Sequence, residues 1–599
     1  MKRLLSGNEA LALGAYHAGV KVAAAYPGTP STEILEALAS NEDIYTEWSP
    51  NEKVAMEVGM GAAYAGVRTL VSMKHVGLNV AVDPFMAASI TGVNAGLVVI
   101  CADDPGIHSS QNEQDNRHYA RFGKVPMLEP SDSQEAYDLM AYAFDISESF
   151  DTPVLVRSTT RISHSKSVVE VHGKRTVSAS PPGFQRDVSK YVMLPVNARL
   201  RHPLQEERMV KLADYAETFP LNRLLWGERN LGVVTSGVAY QYAREVFPLA
   251  SFLKLSMTYP LPRDLLRQFA AQVDRLVVIE ELDPFLQENI RAMGIEVTGK
   301  EFIPRSGELT TDIVEDGSRS EGLSDETSPR YIETVPELPK RPPLLCPGCP
   351  HTAIFFILGN SGRRARLPVA KGKTAGESKL IITGDIGCYT LSAYPPLSAM
   401  DTTACMGAGI GQALGMEKAG ITKNVVAVIG DSTFMHSGIT GLVDAVYNQS
   451  RITIIILDNS TTAMTGHQDH PGTGISAQGK KTGKVELEDL VRGIGVSDVK
   501  TIDAFDLKSL RTGVNSSLDS PELSVIIVRG DCSVRAPKGS DPRAIDMESC
   551  TLCDSCLLLG CSAIRKENEQ VFIDPTLCAG DICLICQQIC PRKAIGARS

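Results

Sequence analysis

Short uninterrupted apolar runs alternate along this chain with stretches whose apolar positions recur every three to four residues. Val22–Ala25, Thr69–Met73, Leu97–Cys101 and Pro153–Arg157 read as strands buried on both faces, and Asn51–Ala65 as one of the helices between them. That alternation predicts a parallel sheet with crossover helices. A second block begins near Asn230, with strand-like Leu231–Thr235 and Arg275–Ile279 and a helical Gly237–Phe247. From Arg305 to Lys340 Ser, Glu, Asp, Gly and Pro displace the apolar residues, which is the composition of a linker. A third α/β block runs from about Leu344 to Arg535, and a short cysteine-rich tail closes the chain. The expected division is 1–165, 166–304, a linker at 305–343, then 344–540 and 541–599. No tandem repeat shows in the large blocks.

Composition narrows the class. Charged residues make up 22% and hydrophobic ones 43%, as in ordinary globular proteins. The net charge is −11, and no Lys/Arg block is long enough to follow a phosphate backbone, which argues against a nucleic-acid partner. No apolar run is long enough to span a bilayer. The opening Met1-Lys2-Arg3-Leu4-Leu5-Ser6-Gly7 reaches Gly, Asn and Glu too early for a secretory leader. Reduced thiols that bind metal in the cytoplasm are therefore the expectation for the 14 cysteines.

Eight of those cysteines crowd the tail as C-x2-C-x2-C-x4-C from Cys550 to Cys561 and C-x4-C-x2-C-x3-C-P from Cys578 to Pro591. Two [4Fe–4S] cubanes suit this spacing. In two-cluster ferredoxins the fourth cysteine of each motif serves the other cluster. That rule pairs Cys550, Cys553 and Cys556 with Cys590, and Cys578, Cys583 and Cys586 with Cys561. The two x4 loops, and Ser562 where Pro is usual, depart from the bacterial pattern. Two all-thiolate zinc sites are the alternative.

In the third block Val425–Ile429 ends in Gly430-Asp431-Ser432. A helical stretch at Ser437–Asn448 and a second apolar strand, Ile452–Leu457, follow, ending in Asp458-Asn459. Ligands of such βαβ units bind beyond the carboxyl ends of the strands. The Asp431 carboxylate, the Asn459 side-chain carbonyl and the Thr461 backbone carbonyl are hard oxygens suited to Mg²⁺ bound with a phosphate. Gly430 permits close approach of that phosphate. The run Gly407-Ala408-Gly409-Ile410-Gly411 lacks dinucleotide-binding spacing and reads as a glycine-faced helix packed near the site.

The spacing from Gly430-Asp431-Ser432 to Asn459 resembles the thiamine diphosphate motif, whose third position is usually Gly and is Ser432 here. Tyr26-Pro27-Gly28-Thr29-Pro30-Ser31 is similar to the Tyr-Pro-x-Thr-Pro motif of 2-oxoacid:ferredoxin oxidoreductases. Cys346-Pro-Gly-Cys349-Pro-His351 and Asp458–Gln468 carry the same resemblance. The chain order resembles the large subunit of the indolepyruvate branch of that family over nearly its entire length.

The resemblance implies an α/β multidomain thiamine-diphosphate fold. Its parts are a pyrimidine-type domain, a middle transketolase C-terminal-like domain, a diphosphate-type domain and a two-cluster ferredoxin-like tail. It implies thiamine diphosphate and Mg²⁺ held by Gly430, Asp431, Ser432, Asn459 and Thr461. A carboxylate must stand on the cofactor's pyrimidine ring, and Glu52 is the candidate, with Glu57 as its rival. Thr29 is implied to contact substrate or cofactor, and His75, at a strand end beside Lys74, to bind or protonate substrate. His351, Gly466, His467 and Gln468 are further lining candidates. A third, proximal [4Fe–4S] cluster is implied on Cys346, Cys349, Cys388 and Cys532, whereas Cys101 and Cys405 read as small core residues.

The implied activity is oxidative decarboxylation of aryl 2-oxoacids, indolepyruvate among them, to the acyl-coenzyme A and CO₂. The electrons would pass through iron–sulfur clusters to ferredoxin, in a hetero-oligomer with a smaller beta subunit and an anaerobic metabolism. Pyruvate-type relatives use an Arg near the end of the Leu97–Cys101 strand, where this chain has Ala102-Asp103-Asp104-Pro105. The alternatives are another 2-oxoacid oxidoreductase (branched-chain or phenylglyoxylate-like), a non-oxidative thiamine decarboxylase, and an electron-transfer module without thiamine chemistry.

Overall fold

The computed structural model describes the chain apart from residues 173–174, 176–182, 324–342, 362–379, 422–423, 538 and 598–599. The chain forms two compact units, Met1–Ile332 and Glu333–Ser599.

In the first unit seven strands make one sheet. Their order is Met257–Tyr259, Met127–Leu128, Val154–Thr159, Leu97–Asp103, Thr69–Lys74, Val22–Ala25 and Tyr45–Trp48. All pair in parallel except the Met257–Tyr259 edge. Leu97–Asp103 is buried at every position, so it carries no polar alternation. Three expected strands run a residue or two past their apolar cores and end on Lys74, Asp103 and Thr159. Those polar ends sit where a parallel sheet offers its ligand site.

Block boundaries are less sharp than composition suggested. Lys166–Glu170 pairs antiparallel with Lys2–Ser6, so it belongs with the first block. Met257–Tyr259 of the middle block adds an edge to the first sheet. The middle block's own sheet runs Arg275–Ile279, Glu228–Ser236, Ala250–Leu255 and Arg223–Leu225, with the last strand antiparallel. Buried Arg117, paired with Asp115 of its own block at 2.5 Å, ties the two blocks together through Glu280 at 2.6 Å.

The expected linker starts too early. Thr311–Ser320 is a helix, capped by the Thr310 hydroxyl, which accepts from the Ile313 N–H at 3.3 Å. Leu309 and Val314 are fully buried in a cluster with Ala239 and Tyr240. The few apolar residues of this segment are spaced to fall on one face, a signal that average composition conceals. The rest of that expected linker, 324–342, lies outside the described residues.

The second unit has a six-stranded, wholly parallel sheet in the order Thr402–Thr403, Leu380–Gly384, Asn424–Gly430, Thr453–Asp458, Ser524–Arg529 and Asp498–Asp503. The crossover after Asn424–Gly430 begins at once as a helical turn, Asp431–Thr433. A π-helical turn, Phe434–Gly438, leads into the helix Ile439–Tyr447. The helix therefore starts earlier than Ser437 and is distorted there. Gly438 packs against Ile429 and Phe434, where a Cβ would meet Ile429 Cδ1 at 2.6 Å. The tail adds two short antiparallel pairs, Arg543–Ile545 with Ile595–Ala597 and Ile564–Glu567 with Gln570–Ile573. Its cysteines pack on the same core as the helix His351–Ser361 and one face of the large sheet. No helix among the described residues is long and apolar enough to cross a membrane.

Thr310→Ala removes the cap of the 311–320 helix and is expected to destabilise the chain by about 1 kcal/mol. Chemical denaturation checks this, and an unchanged midpoint would contradict a folded helix at that place.

Candidate functional site

The carboxyl ends of the second unit's strands converge on acidic and amide groups. Asp431, buried, accepts the Ser432 N–H at 2.7 Å on Oδ1. Its Oδ2 accepts the N–H groups of Asn459 at 3.1 Å and Ser460 at 2.8 Å. One carboxylate thus joins the ends of two adjacent strands. The Asn459 Oδ1 accepts the Thr461 N–H at 3.3 Å, and Ser460 between them has φ of 58°. Ser432 is buried, its hydroxyl 2.8 Å from that of Thr462.

Three side chains not singled out as ligands stand beside this pair. His470 Nε2 lies 3.3 Å from Asp431 Oδ2, at ion-pair distance but off the line of a hydrogen bond. Its Nδ1 accepts the Gly472 N–H at 3.2 Å. Asp385, just beyond Leu380–Gly384, takes a hydrogen bond from the Tyr389 hydroxyl and one from the Gly407 N–H at 2.8 Å, and burial pushes its pKa up to about 7. Asp458 is held by Arg529 at 2.7 Å. Sequence marked Asp385 only as a neighbour of Cys388. His470 had no local signal, because it comes to Asp431 through a long irregular loop.

His351 is buried at the first turn of its helix, with Nε2 3.4 Å from Asn459 Nδ2. Burial pushes its pKa down to about 4, so the ring is neutral at physiological pH. His467, at φ of 70°, places Nδ1 3.9 Å from Cys532 Sγ. Gln468 is buried, its Oε1 accepting from the Thr465 hydroxyl at 2.6 Å, and Gly466 is exposed. In the glycine-rich run Gly407 has φ of 83°, and Gly409 lies on the Gly384 backbone, where a Cβ would be 3.2 Å from Cα. Gly411 meets nothing within 4 Å, so two of the three glycines, rather than the whole face, do the close packing.

In the first unit Glu52 opens the helix Glu52–Tyr64 and is buried, with the Asn51 side chain capping the helix through the Val54 N–H at 2.9 Å. Its carboxyl packs over Gly77, where a Cβ would lie 2.6 Å from Glu52 Oε1. Glu57 is half-exposed and pairs with Lys53 on the surface. The rivals therefore separate by burial. Thr29 is half-buried, and its carbonyl accepts the Ser109 hydroxyl at 3.3 Å. His75 is fully buried and begins the helix His75–Thr91, with Nε2 3.2 Å from the Asn112 carbonyl and Nδ1 without a partner. Burial and neighbouring Lys74 lower its pKa. Thr29 and His75 follow the carboxyl ends of Val22–Ala25 and Thr69–Lys74, and Glu52 follows that of Tyr45–Trp48.

The eight tail thiols sort into two cavities. One is lined by Cys561, Cys578, Cys583 and Cys586 together with Gly348 and Thr352. The other is lined by Cys550, Cys553, Cys556 and Cys590. Backbone N–H groups donate to these sulfurs: Arg543 and Gly580 to Cys578 at 3.4 Å, and Ala594 to Cys590 at 3.2 Å. The Gly348 N–H donates to Cys561.

Cys346, Cys349, Cys388 and Cys532 also come together. Burial raises the Cys349 and Cys388 thiols, Cys388 to about 11, and each of the two feels Cys346 and Cys532 as further charges. The Cys532 N–H donates to the Asn459 carbonyl at 3.3 Å, which joins this quartet to the Asp431–Asn459 pair. Cys101 is buried as expected, its sulfur accepting from Asn116 Nδ2 at 2.7 Å. Cys405 is not a core residue. It is exposed, in the turn before the helix Ala408–Lys418.

Residues 13–215 match the family described as pyruvate flavodoxin/ferredoxin oxidoreductase, thiamine diP-binding, and residues 385–528 match the thiamine pyrophosphate enzyme C-terminal TPP binding domain. The chain is 42% identical to indolepyruvate oxidoreductase subunit IorA of Methanothermobacter thermautotrophicus, over 99% of this chain and 97% of that one. The subunit of the same name from Archaeoglobus fulgidus is 40% identical over the same shares. A 2-oxoglutarate synthase subunit KorA from A. fulgidus is 26% identical over 47% of this chain and 88% of that one. With both thiamine-binding domains present and near-full-length identity above 40%, the chain belongs to the indolepyruvate oxidoreductase IorA family of thiamine-dependent 2-oxoacid oxidoreductases.

Proposed function

We propose that this chain carries out the oxidative decarboxylation of aryl 2-oxoacids, indolepyruvate foremost, and passes the electrons through three [4Fe–4S] clusters to ferredoxin. The acyl group goes to coenzyme A, and a smaller second subunit completes the enzyme. The observation that carries this reading is the junction at Asn459. Its side chain belongs to the thiamine-type Asp–Asn pair, while its backbone carbonyl accepts the N–H of Cys532, one of a buried thiol quartet. The names of the near-full-length relatives support the aryl substrate and the second subunit.

The residues fit the groups they are asked to hold. Asp431, Asn459 Oδ1 and the Thr461 carbonyl form an oxygen set at a strand end, with the Asp431 carboxylate oriented by three backbone N–H groups, which suits Mg²⁺ on a diphosphate. Among the described residues no three of the cysteine sulfurs lie within 4.8 Å of one another. Four thiolates on one zinc at about 2.3 Å would bring their sulfurs to about 3.8 Å. The wider quartets around cavities of their own suit cubanes, and the N–H donors to sulfur favour thiolates.

When bound, thiamine diphosphate supplies the carbanion chemistry of decarboxylation and the clusters supply one-electron acceptors. The chain's own part is positional. Glu52, buried at the head of its helix, holds its carboxylate for the cofactor's pyrimidine ring. Thr29 and His75 present polar groups at adjacent strand ends. His75, lowered in pKa by burial, is neutral and carries its proton on Nε2 toward the Asn112 carbonyl, which leaves Nδ1 as an acceptor. Neutral His351 orients the Asn459 amide.

Purified protein with its partner subunit, indolepyruvate, coenzyme A and a viologen dye tests the reading. Dye reduction that depends on coenzyme A is expected. Aldehyde release without reduction would identify a non-oxidative decarboxylase instead. Glu52→Gln is expected to lower kcat by about 10²–10⁴-fold, the range of general acid–base catalysis, with Glu57→Gln near wild type. Equal effects at both positions would remove Glu52 from its role. Fully loaded protein is expected to hold about twelve iron atoms per chain, and Cys388→Ser about eight. Eight in the parent protein would eliminate the proximal cluster.

A further inference from the structure

The strand ends of the first unit hold a cation that the chemistry above leaves unused. Lys74 closes the Thr69–Lys74 strand, between Val22–Ala25 and Leu97–Asp103. Its stem lies against the Tyr26–Ser31 loop, where a Cβ on Gly28 would come within 3.0 Å of Lys74 Cγ and Cδ. Nζ donates to the Ser109 carbonyl at 3.0 Å, and the Ser109 hydroxyl in turn donates to the Thr29 carbonyl at 3.3 Å. The ammonium is therefore fixed beside the Thr29 loop.

Its electrostatic position is unusual for a half-buried lysine. Desolvation lowers the Lys74 pKa and the Asp104 and Glu52 carboxylates act against that, yet Lys74 forms no ion pair within 4.0 Å among the described residues. Asp104 is turned to other donors, the Ser109 N–H at 2.8 Å, the Ser110 hydroxyl at 2.6 Å and the Thr160 hydroxyl at 2.7 Å. The two deep arginines nearby are committed, Arg157 to Asp103 and Glu129, and Arg117 to Asp115 and Glu280. Of its three donors, Lys74 spends one on a neutral carbonyl. The helix His75–Thr91 starts at the next residue with no side-chain cap, so its first N–H groups add positive potential at the same place. A partly desolvated ammonium without a counter-ion gains strongly from an arriving carboxylate.

We propose that Lys74 receives the carboxylate of the 2-oxoacid substrate, and that position 28 is glycine because the lysine stem fills the space of a side chain. This rests on the oxidoreductase reading above. It assigns substrate-carboxylate binding to the strand neighbouring Leu97–Asp103, whose own end carries Asp103 and Asp104.

The test uses the holoenzyme with its partner subunit. Indole-3-propionate and its neutral amide are compared as inhibitors of dye reduction in the parent, Lys74→Met and Lys74→Arg proteins. Lys74→Met is expected to raise KM for indolepyruvate and weaken the acid by about ten- to a hundredfold, with Lys74→Arg recovering most of the loss. The amide, and thiamine diphosphate affinity by equilibrium dialysis, are expected to stay unchanged. Equal losses for acid and amide, or a loss of cofactor affinity, would overturn the proposal. Gly28→Ala keeps every charge and displaces only the stem. It is expected to weaken the acid selectively, and it decides the matter should Lys74→Met not fold, an unaltered acid affinity counting against Lys74. A parent enzyme that turns over no 2-oxoacid would sink the functional reading and this inference with it. A parent that turns over indolepyruvate while both variants bind the acid normally would sink the inference alone.

Discussion

The carboxylate of Asp431 organises the second unit. It accepts three backbone N–H groups, from Ser432, Asn459 and Ser460, and so fixes the ends of two parallel strands against each other. Hydrogen bonds from backbone N–H groups to a carboxylate are charge-assisted and short, so they hold the strand ends in place without a cationic side chain. Asn459 is placed by that bond. Through the Asn459 carbonyl so is Cys532, and through the Asn459 amide the ring of His351 is reached. A metal-type oxygen set and a thiol quartet therefore share one short stretch of backbone.

The tail continues the same arrangement. Gly348 lies in the Cys346–Cys349 turn, yet it lines the cavity of Cys561, Cys578, Cys583 and Cys586 and donates to Cys561. Its φ of 73° and its contact with Ala579 leave no room for a side chain. The turn that presents two cysteines on one side thus closes a thiol cavity on the other. Burial of the tail cysteines against the core of the helix His351–Ser361 explains why this tail packs as part of the unit.

Legibility differed by the range of the interaction. Strands were readable because each is a local apolar run buried on both faces, and only their polar ends, such as Lys74 and Asp103, ran past the pattern. The Gly430-Asp431 and Asn459 pair was readable because a βαβ unit fixes the gap between strand ends. The helix Thr311–Ser320 is hidden in the sequence because its two or three apolar anchors vanish in a polar average. Cys405 is exposed against expectation because a glycine-rich neighbourhood says nothing about which way a turn faces. His470 and Asp385 carried no local mark, since each acts by being brought to a distant partner.

By itself the sequence determined the chemistry-bearing residue types and their local order: the strand-end acid and amide, the eight-cysteine spacing, and the alternation that demands parallel sheets. These are short-range quantities, set by backbone periodicity and by the reach of a few residues. The tertiary structure alone decided which of Glu52 and Glu57 is buried and which faces water. It also brought four scattered cysteines to the back of Asn459, and left Lys74 without an ion pair within 4.0 Å among the described residues. Burial and charge balance are sums over neighbours far apart in the chain, and only the folded arrangement supplies those neighbours.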